Sequence, residues 1–320
     1  MKLISLILVT VIIVLLVFIL IKKYKKDKNK NELKSDKINK DEKSLEKDPS
    51  KVKKIGNYEV IKFLGEGATS KVFLVKKGDS LFALKQLNIV DDEFKKRFQR
   101  EIAILKELKH KNIVSIIDNG IYEEKPFIVI DYVDGDSLDR IATKLNMMQK
   151  LDIVISAANG IAYLHSKGVI HRDIKPENIL VSKDLNVVKI ADLGISKVVY
   201  WRSITQEGQI LGTPAYMAPE LFEGKSDDPR IDIYAFGITM YEVFTHTVPF
   251  DGKPSEIILK HIKEEPKYPS LINPSIPQAL DKIIMKCIEK KPEKRYKSMI
   301  LLIEDLINIR KNIKNLDVKH

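Results

Sequence analysis

The densest polar cluster in the chain is His171-Arg172-Asp173-Ile174-Lys175-Pro176-Glu177-Asn178. It follows an apolar helical pattern carrying Ile161 and Leu164 and precedes the strand-like run Ile179-Leu180-Val181. A loop held between two rigid elements is where reactive groups tend to sit. Asp173 has the chemistry to orient a hydroxyl and accept its proton. Asn178 offers a carbonyl oxygen to a hard cation, and Asp192, in Asp192-Leu193-Gly194, offers the carboxylate that Mg²⁺ prefers. Upstream, Lys85 ends the strand pattern Phe82-Ala83-Leu84-Lys85. Glu101 lies near the middle of a helical pattern over 93–109, where a carboxylate can hold such a lysine in place. Gly65-Glu66-Gly67-Ala68-Thr69-Ser70-Lys71-Val72 falls between two strand patterns, and its glycines let backbone come close to phosphates. No Gly-Lys-Ser/Thr follows and no helix begins there, which excludes a Walker-type loop. A phosphate cradle, a held cation, metal-binding oxygens and a hydroxyl-orienting acid are the parts that phosphoryl transfer asks for.

Those groups need elements to position them. Residues 58–64, 71–76 and 80–87 read as short strands broken by Gly or Asp. Phe94, Phe98, Ile102, Leu105 and Leu108 mark one face of a helix, with Asp91 or Asp92 as its cap. Residues 113–117 and 127–133 read as strands again, and beyond about 135 helical patterns dominate, notably 151–165 and 231–244. The layout is a strand-rich half followed by a helix-rich half.

The chain of 320 residues has a net charge of +11, which raises nucleic acid as a partner. The charge is concentrated, however. Residues 22–54 hold 14 lysines and 7 acids, Lys2 adds one charge, and 55–320 carry only +3, so the folded part shows no nucleic-acid footprint. Residues 3–21 are uncharged, with Ser5 and Thr10 the only polar side chains, and a helix of that length spans roughly 28 Å, about the hydrocarbon thickness of a bilayer. The run ends in Ile-Leu-Ile before Lys22 and Lys23, without the small residues of a cleavage site, and reads as a retained anchor. Lysine excess after residue 21 puts the rest of the chain on the cytoplasmic side, with residues 1–2 outside. Residues 22–54 are too polar to fold alone and read as a tether whose first lysines touch anionic lipid. The single cysteine, Cys287, excludes an intramolecular disulfide and sits in an apolar run as a core thiol.

The ordered set resembles the eukaryotic-type (Hanks-type) protein kinase family: glycine-rich loop, Ala-Leu-Lys, helix glutamate, His-Arg-Asp loop with its Asn, Asp-Leu-Gly, then Ala218-Pro219-Glu220. The likeness implies an α+β, bilobal fold with a β-rich N-lobe and a helical C-lobe over 55–312, followed by a short tail, 313–320. It implies ATP with Mg²⁺ or Mn²⁺, and a protein substrate bearing Ser or Thr. In that reading Lys85 binds the α- and β-phosphates and pairs with Glu101. Asp192 and Asn178 hold metal, Asp173 orients the acceptor hydroxyl, and Lys175 offsets charge on the transferring group. Leu64, Gly65, Glu66 and Gly67 cover the nucleotide, while Val72, Ala83 and Leu180 sandwich adenine. Ile130-Asp131-Tyr132-Val133 resembles the hinge whose backbone bonds the adenine edge, with Ile130 guarding the back of the pocket.

Lys175, two residues after Asp173, matches the serine/threonine pattern, as does Gly212-Thr213-Pro214-Ala215-Tyr216, where Thr213 would contact Asp173 and Lys175. Two positions depart from the family pattern: Ser70 stands at the third loop glycine and Leu193 in place of phenylalanine. The resemblance also implies a brace from Asp232 to the catalytic loop, an ion pair between Glu220 and Arg295, and an activation segment from Asp192 to Glu220. Autophosphorylation at Ser203 or Thr205, in a transient dimer, would order that segment through Arg172. Two alternatives stay open: a membrane-tethered, ATP-binding scaffold without turnover, and a kinase of small molecules.

Overall fold

The computed structural model describes residues 52–67, 70–88, 98–99, 102–103, 105–193 and 214–317. The chain divides into residues 1–53 and 54–320, and the elements below belong to the second unit. The apolar run 3–21 and the lysine-rich stretch up to residue 51 lie outside the described residues. Among those described, no helix is long and apolar enough to cross a membrane.

The first half is an antiparallel sheet of β1 (Lys54–Ile55), β2 (Tyr58–Gly67), β3 (Ser70–Lys77), β4 (Ser80–Leu87), β5 (Ile116–Tyr122) and β6 (Lys125–Asp131), in the order β1-β2-β3-β4-β6-β5. Alternation drives it: Phe73, Val75 and Leu84 turn inward and are buried, while neighbours on the other face meet solvent. The register sets Val72 opposite Lys85, and Ala83 opposite both Leu74 and Ile130.

The strand patterns were right in kind and shifted at their ends. β2 and β3 run into the glycine-rich segment, and β6 stops at Asp131 rather than at 133. The pattern at 113–117 becomes a strap at 112–115 followed by β5, which continues through Asp118-Asn119-Gly120. That turn-like triplet is tolerated in a strand because Asp118 accepts the Tyr58 hydroxyl at 2.8 Å. A Cβ at Gly120 would also lie 2.7 Å from the tip of the Phe127 ring, so any larger residue there would force that buried ring to move.

The second half is helical. Its longer helices are α1 (Met147–Ser166), α2 (Arg230–Thr245), α3 (Pro254–Lys263), α4 (Gln278–Cys287) and α5 (Met299–Asp317). Asn146 and Gln149 cap α1 reciprocally at 2.9 Å. Nearly every residue of α2 is buried, so it acts as a central post on which α1 and α4 pack. Cys287 on α4 is fully buried, and burial pushes its thiol up, as a core residue requires. Between the halves, β7 (Gly135–Ser137), β8 (Ile179–Ser182) and β9 (Val188–Ile190) form a small sheet that carries the polar loop at one end.

Glu220 and Arg295 pair as the sequence pattern implies, at 2.6 and 2.8 Å in a two-point fork that is almost wholly buried. The remaining guanidinium hydrogens go to the carbonyls of Glu289, Arg230 and Lys290. Satisfied on all sides, the pair is tolerable; broken on one side, it leaves a buried cation. Glu220→Ala is therefore expected to lower the free energy of unfolding by about 3–5 kcal/mol in a denaturant titration, and a loss below about 1 kcal/mol would contradict this role.

Candidate active site

The site is built where the two halves meet. β4 delivers Lys85, whose Nζ lies 2.5 Å from Asp192 Oδ1 just past β9. Glu101 lies outside the described residues, so Asp192 is the carboxylate seen on this lysine. The two side chains are 13% and 39% exposed, which leaves the pair shielded on the lysine side and open on the carboxylate side.

The loop after α1 supplies the other groups. Asn178 Nδ2 donates to the Asp173 carbonyl at 2.7 Å and to its Oδ2 at 3.2 Å. Spending its amide hydrogens inward leaves the side-chain Oδ1 of Asn178 as the end that can meet a cation. Lys175 Nζ stands 3.8 Å from Asp173 Oδ2. The Ala191 N–H donates to the Asn178 carbonyl at 2.8 Å, tying the loop to the residue before Asp192. His171, fully buried, makes a second tie. Its Nδ1 accepts the Asp173 N–H at 3.2 Å, so the proton sits on Nε2, which donates to the Ala191 carbonyl at 3.0 Å. Lys85, Asp192, Asn178, Asp173 and Lys175 thus form one contiguous constellation. His171 is a strut in it and not a base.

Asp232 at the start of α2 holds the loop backbone. Its carboxylate is wholly buried and accepts the N–H groups of His171 and Arg172, each at 2.8 Å, and His165 Nε2 at 2.8 Å. Burial pushes this carboxyl up, but the hydrogen bond and charge of His165, with His171, outweigh it and hold it below the ordinary value of 3.8. Arg172 and Asp192 have φ of 63° and 57°, left-handed conformations that cost energy in residues with a Cβ and persist only when the surroundings hold them. For Arg172 the holder is Asp232, and its guanidinium meets the Ser226 carbonyl at 3.3 Å. His165 carries no periodic or motif signal in the sequence, and its part in the brace emerges only from the fold.

The residues fit a nucleotide with Mg²⁺ or Mn²⁺. Among the described residues a Cβ at Gly65 or Gly67 would meet nothing within 4 Å, and open space over this backbone leaves room for a phosphate to approach. Val72 and Ala83 on adjoining strands and Leu180 on β8 are half-buried, and Ile130, paired with Ala83 on β6, is buried. Among the described residues no group of three or more His, Cys, Asp or Glu forms a metal cage. One carboxylate and one amide instead suit a small hard ion that keeps water and phosphate oxygens as its other ligands.

The remaining expectations divide. Leu64, Gly65, Glu66 and Gly67 form the end of β2, with Leu64 exposed. Val133 lies just beyond β6. Asp131 ends β6, and its amide donates to the Ser115 carbonyl at 3.2 Å. Thr213, Ser203 and Thr205 lie outside the described residues, as does Glu101.

Comparison with known proteins agrees with this geometry. Residues 58–307 match the family model described as Protein kinase domain. A Clostridium acetobutylicum protein named as a probable serine/threonine-protein kinase is 35% identical over 81% of this chain and 41% of its own length. The Bacillus subtilis serine/threonine-protein kinase PrkC is 36% identical over 76% of this chain and 39% of its own. The crystal structure of the Mycobacterium tuberculosis PknI kinase domain superposes with a TM-score of 0.66 at 28% identity, covering 82% of this chain and all of that one. The chain belongs to the protein kinase family, in its Hanks-type serine/threonine branch. It spans about two fifths of the length of the curated relatives it matches.

The depressed Asp232 carboxyl gives a signed pH prediction. Its stabilising effect is complete above the unfolded value, about 3.9, and is lost as pH falls through the lower folded value. The stability gap between the native chain and Asp232→Asn should be on the order of 3 kcal/mol near pH 5 and should shrink below about pH 4. Chemical denaturation across that range checks it, and a gap that widens on acidification would contradict it.

Proposed function

We propose that this chain is an active serine/threonine protein kinase that works at the cytoplasmic face of a membrane. The observation that carries the catalytic part is the convergence of Lys85, Asp192, Asn178 and Asp173 across the cleft, with no catalytic residue type missing. Lys85 binds the α- and β-phosphates, and Lys175 offsets charge on the group in flight. Asp173 holds the acceptor Ser or Thr hydroxyl and takes its proton as the oxygen attacks the γ-phosphorus. The bond from that phosphorus to the bridging oxygen breaks, and ADP leaves. Asn178 and Asp192 are the residues that would hold Mg²⁺, which when bound would neutralise phosphate charge. Val72, Ala83, Leu180 and Ile130 enclose the adenine, with Val133 offering backbone to its edge. Glu101 is the partner of Lys85 in the active arrangement, and Thr213 braces Asp173 and Lys175.

Residues 3–21 form the anchor and the lysines after them meet anionic headgroups, a reading supported by the length of the apolar run and the charge excess that follows it. The acceptor is a protein, supported by Lys175 and by the segment 212–216.

Three measurements test this. The full chain in detergent, given labelled ATP, Mg²⁺ and a generic protein substrate, should transfer label to Ser and Thr. Asp173→Asn should cut kcat by about 10²–10⁴-fold, and Asp192→Asn should abolish transfer. Phosphate should also appear on Ser203 or Thr205 by mass spectrometry, made in a transient dimer. ATP binding without transfer would mean a scaffold, and label only on a metabolite would mean a small-molecule kinase. In membranes, the chain should resist alkaline extraction, and deleting residues 3–21 should release it; release of the intact chain would contradict the anchor.

A further inference from the structure

One ion pair lies outside the catalytic constellation yet touches both ends of the cleft. Asp131 ends β6 where the chain passes between the halves. Its Oδ2 accepts the Ser115 N–H at 3.0 Å and pairs with Lys189 Nζ at 2.6 Å. The same ammonium lies 3.4 Å from the Ile113 carbonyl. The strap 112–115 is itself fastened to β9: Val114 N–H donates to the Ile190 carbonyl at 3.0 Å, Ile190 N–H to the Asn112 carbonyl at 2.9 Å, and Asn112 Nδ2 to the Val188 carbonyl at 2.9 Å. From the other side, α1 presses on the strap at Gly160, where a Cβ would lie 2.5 Å from the Asn112 carbonyl. The strap therefore has little room to shift.

Lys189 occupies a telling position. It is the cross-strand partner of Leu180, the floor of the adenine pocket, and stands three residues before Asp192. Asp131 stands two residues before Val133 at the opposite end. With side chains only 18% and 26% exposed, the pair is better shielded than an ordinary surface pair, and it fixes the connector against the strand that leads to the metal carboxylate.

We propose that the Asp131–Lys189 pair is a clasp that sets the spacing between the adenine end and the metal end of the cleft, making Lys189 a positioning residue for ATP. This rests on reading the cleft as the nucleotide site. Removing the ammonium leaves the Asp131 carboxylate on the Ser115 N–H alone and loosens the connector from β9. Nucleotide binding, which needs both ends in register, is then weakened, whereas protein-substrate binding and the chemical step, which depend on the loop braced by Asp232, are not.

Calorimetric titration of the full chain with ADP and Mg²⁺ tests this. Lys189→Met should raise the Kd about tenfold, equivalent to about 1.4 kcal/mol, and raise the ATP KM similarly, with kcat and the protein-substrate KM within about twofold. Lys189→Arg should restore most of the affinity by keeping the charge; it also serves if the methionine variant folds poorly. Lys183→Met breaks the exposed Lys183–Asp134 pair on the neighbouring turn and should leave the Kd unchanged. A Lys189→Met protein that melts earlier but binds ADP normally would overturn the clasp and leave the nucleotide site standing. A native chain that binds no ADP would overturn both.

Discussion

A carboxylate with no access to solvent, Asp232, is the fixed point of this protein. It sits at the start of a helix buried on nearly all sides and gathers two consecutive backbone N–H groups and one imidazole. Leaving such a carboxylate buried without donors would be prohibitive, so residues 171 and 172 are held where it needs them. That demand extends to Arg172, which accepts a left-handed backbone to make its bond. Because Asp173 follows directly, the position of the hydroxyl-orienting acid is inherited from the helical core and not from loop preferences.

From this point order spreads outward through short contacts. His171 and Asn178 each bond to Ala191, so the segment carrying Asp192 is placed relative to the loop by backbone groups at both ends. Asp192 then meets Lys85 from the strand-rich half. In this structure the ammonium and the carboxylate neutralise one another. A polyphosphate would draw on the same ammonium, and its metal on the same carboxylate, so the pair presents both charges ready for that exchange. The design separates rigidity, supplied by α2 and the buried Glu220–Arg295 fork, from the half-exposed groups that do chemistry.

Much of this was legible from residue types. The strand-rich and helix-rich halves follow from two different apolar periods, and the polar loop stands out because it interrupts them. The roles of Asp173, Asn178 and Asp192 follow from oxygen chemistry at a fixed order. Other features were not legible, for physical reasons. The strand pattern stops at 117, yet β5 runs on through Asp118-Asn119-Gly120, where Asp118 accepts the hydroxyl of Tyr58, sixty residues earlier, and Gly120 faces Phe127 across the sheet. The tie of Asp131 to Ser115, sixteen residues earlier, through both its amide and its carboxylate, has no local signal. His165 and Lys189 have no local pattern, since their partners are 67 and 58 residues away. Contacts of that range are set by topology, which periodicity does not encode.

The central claim is that one metal-bound nucleotide is shared by Lys85, Asn178 and Asp192. Crystals of the chain grown with Mn²⁺ and a non-hydrolysable ATP analogue, with data collected for anomalous scattering from manganese, address it directly. A manganese peak at ligand distance from the Asp192 carboxylate and the Asn178 carbonyl, with the adenine between Ala83 and Leu180, is the expected result. Manganese elsewhere, or a nucleotide outside the cleft with the Lys85–Asp192 contact undisturbed, would contradict it.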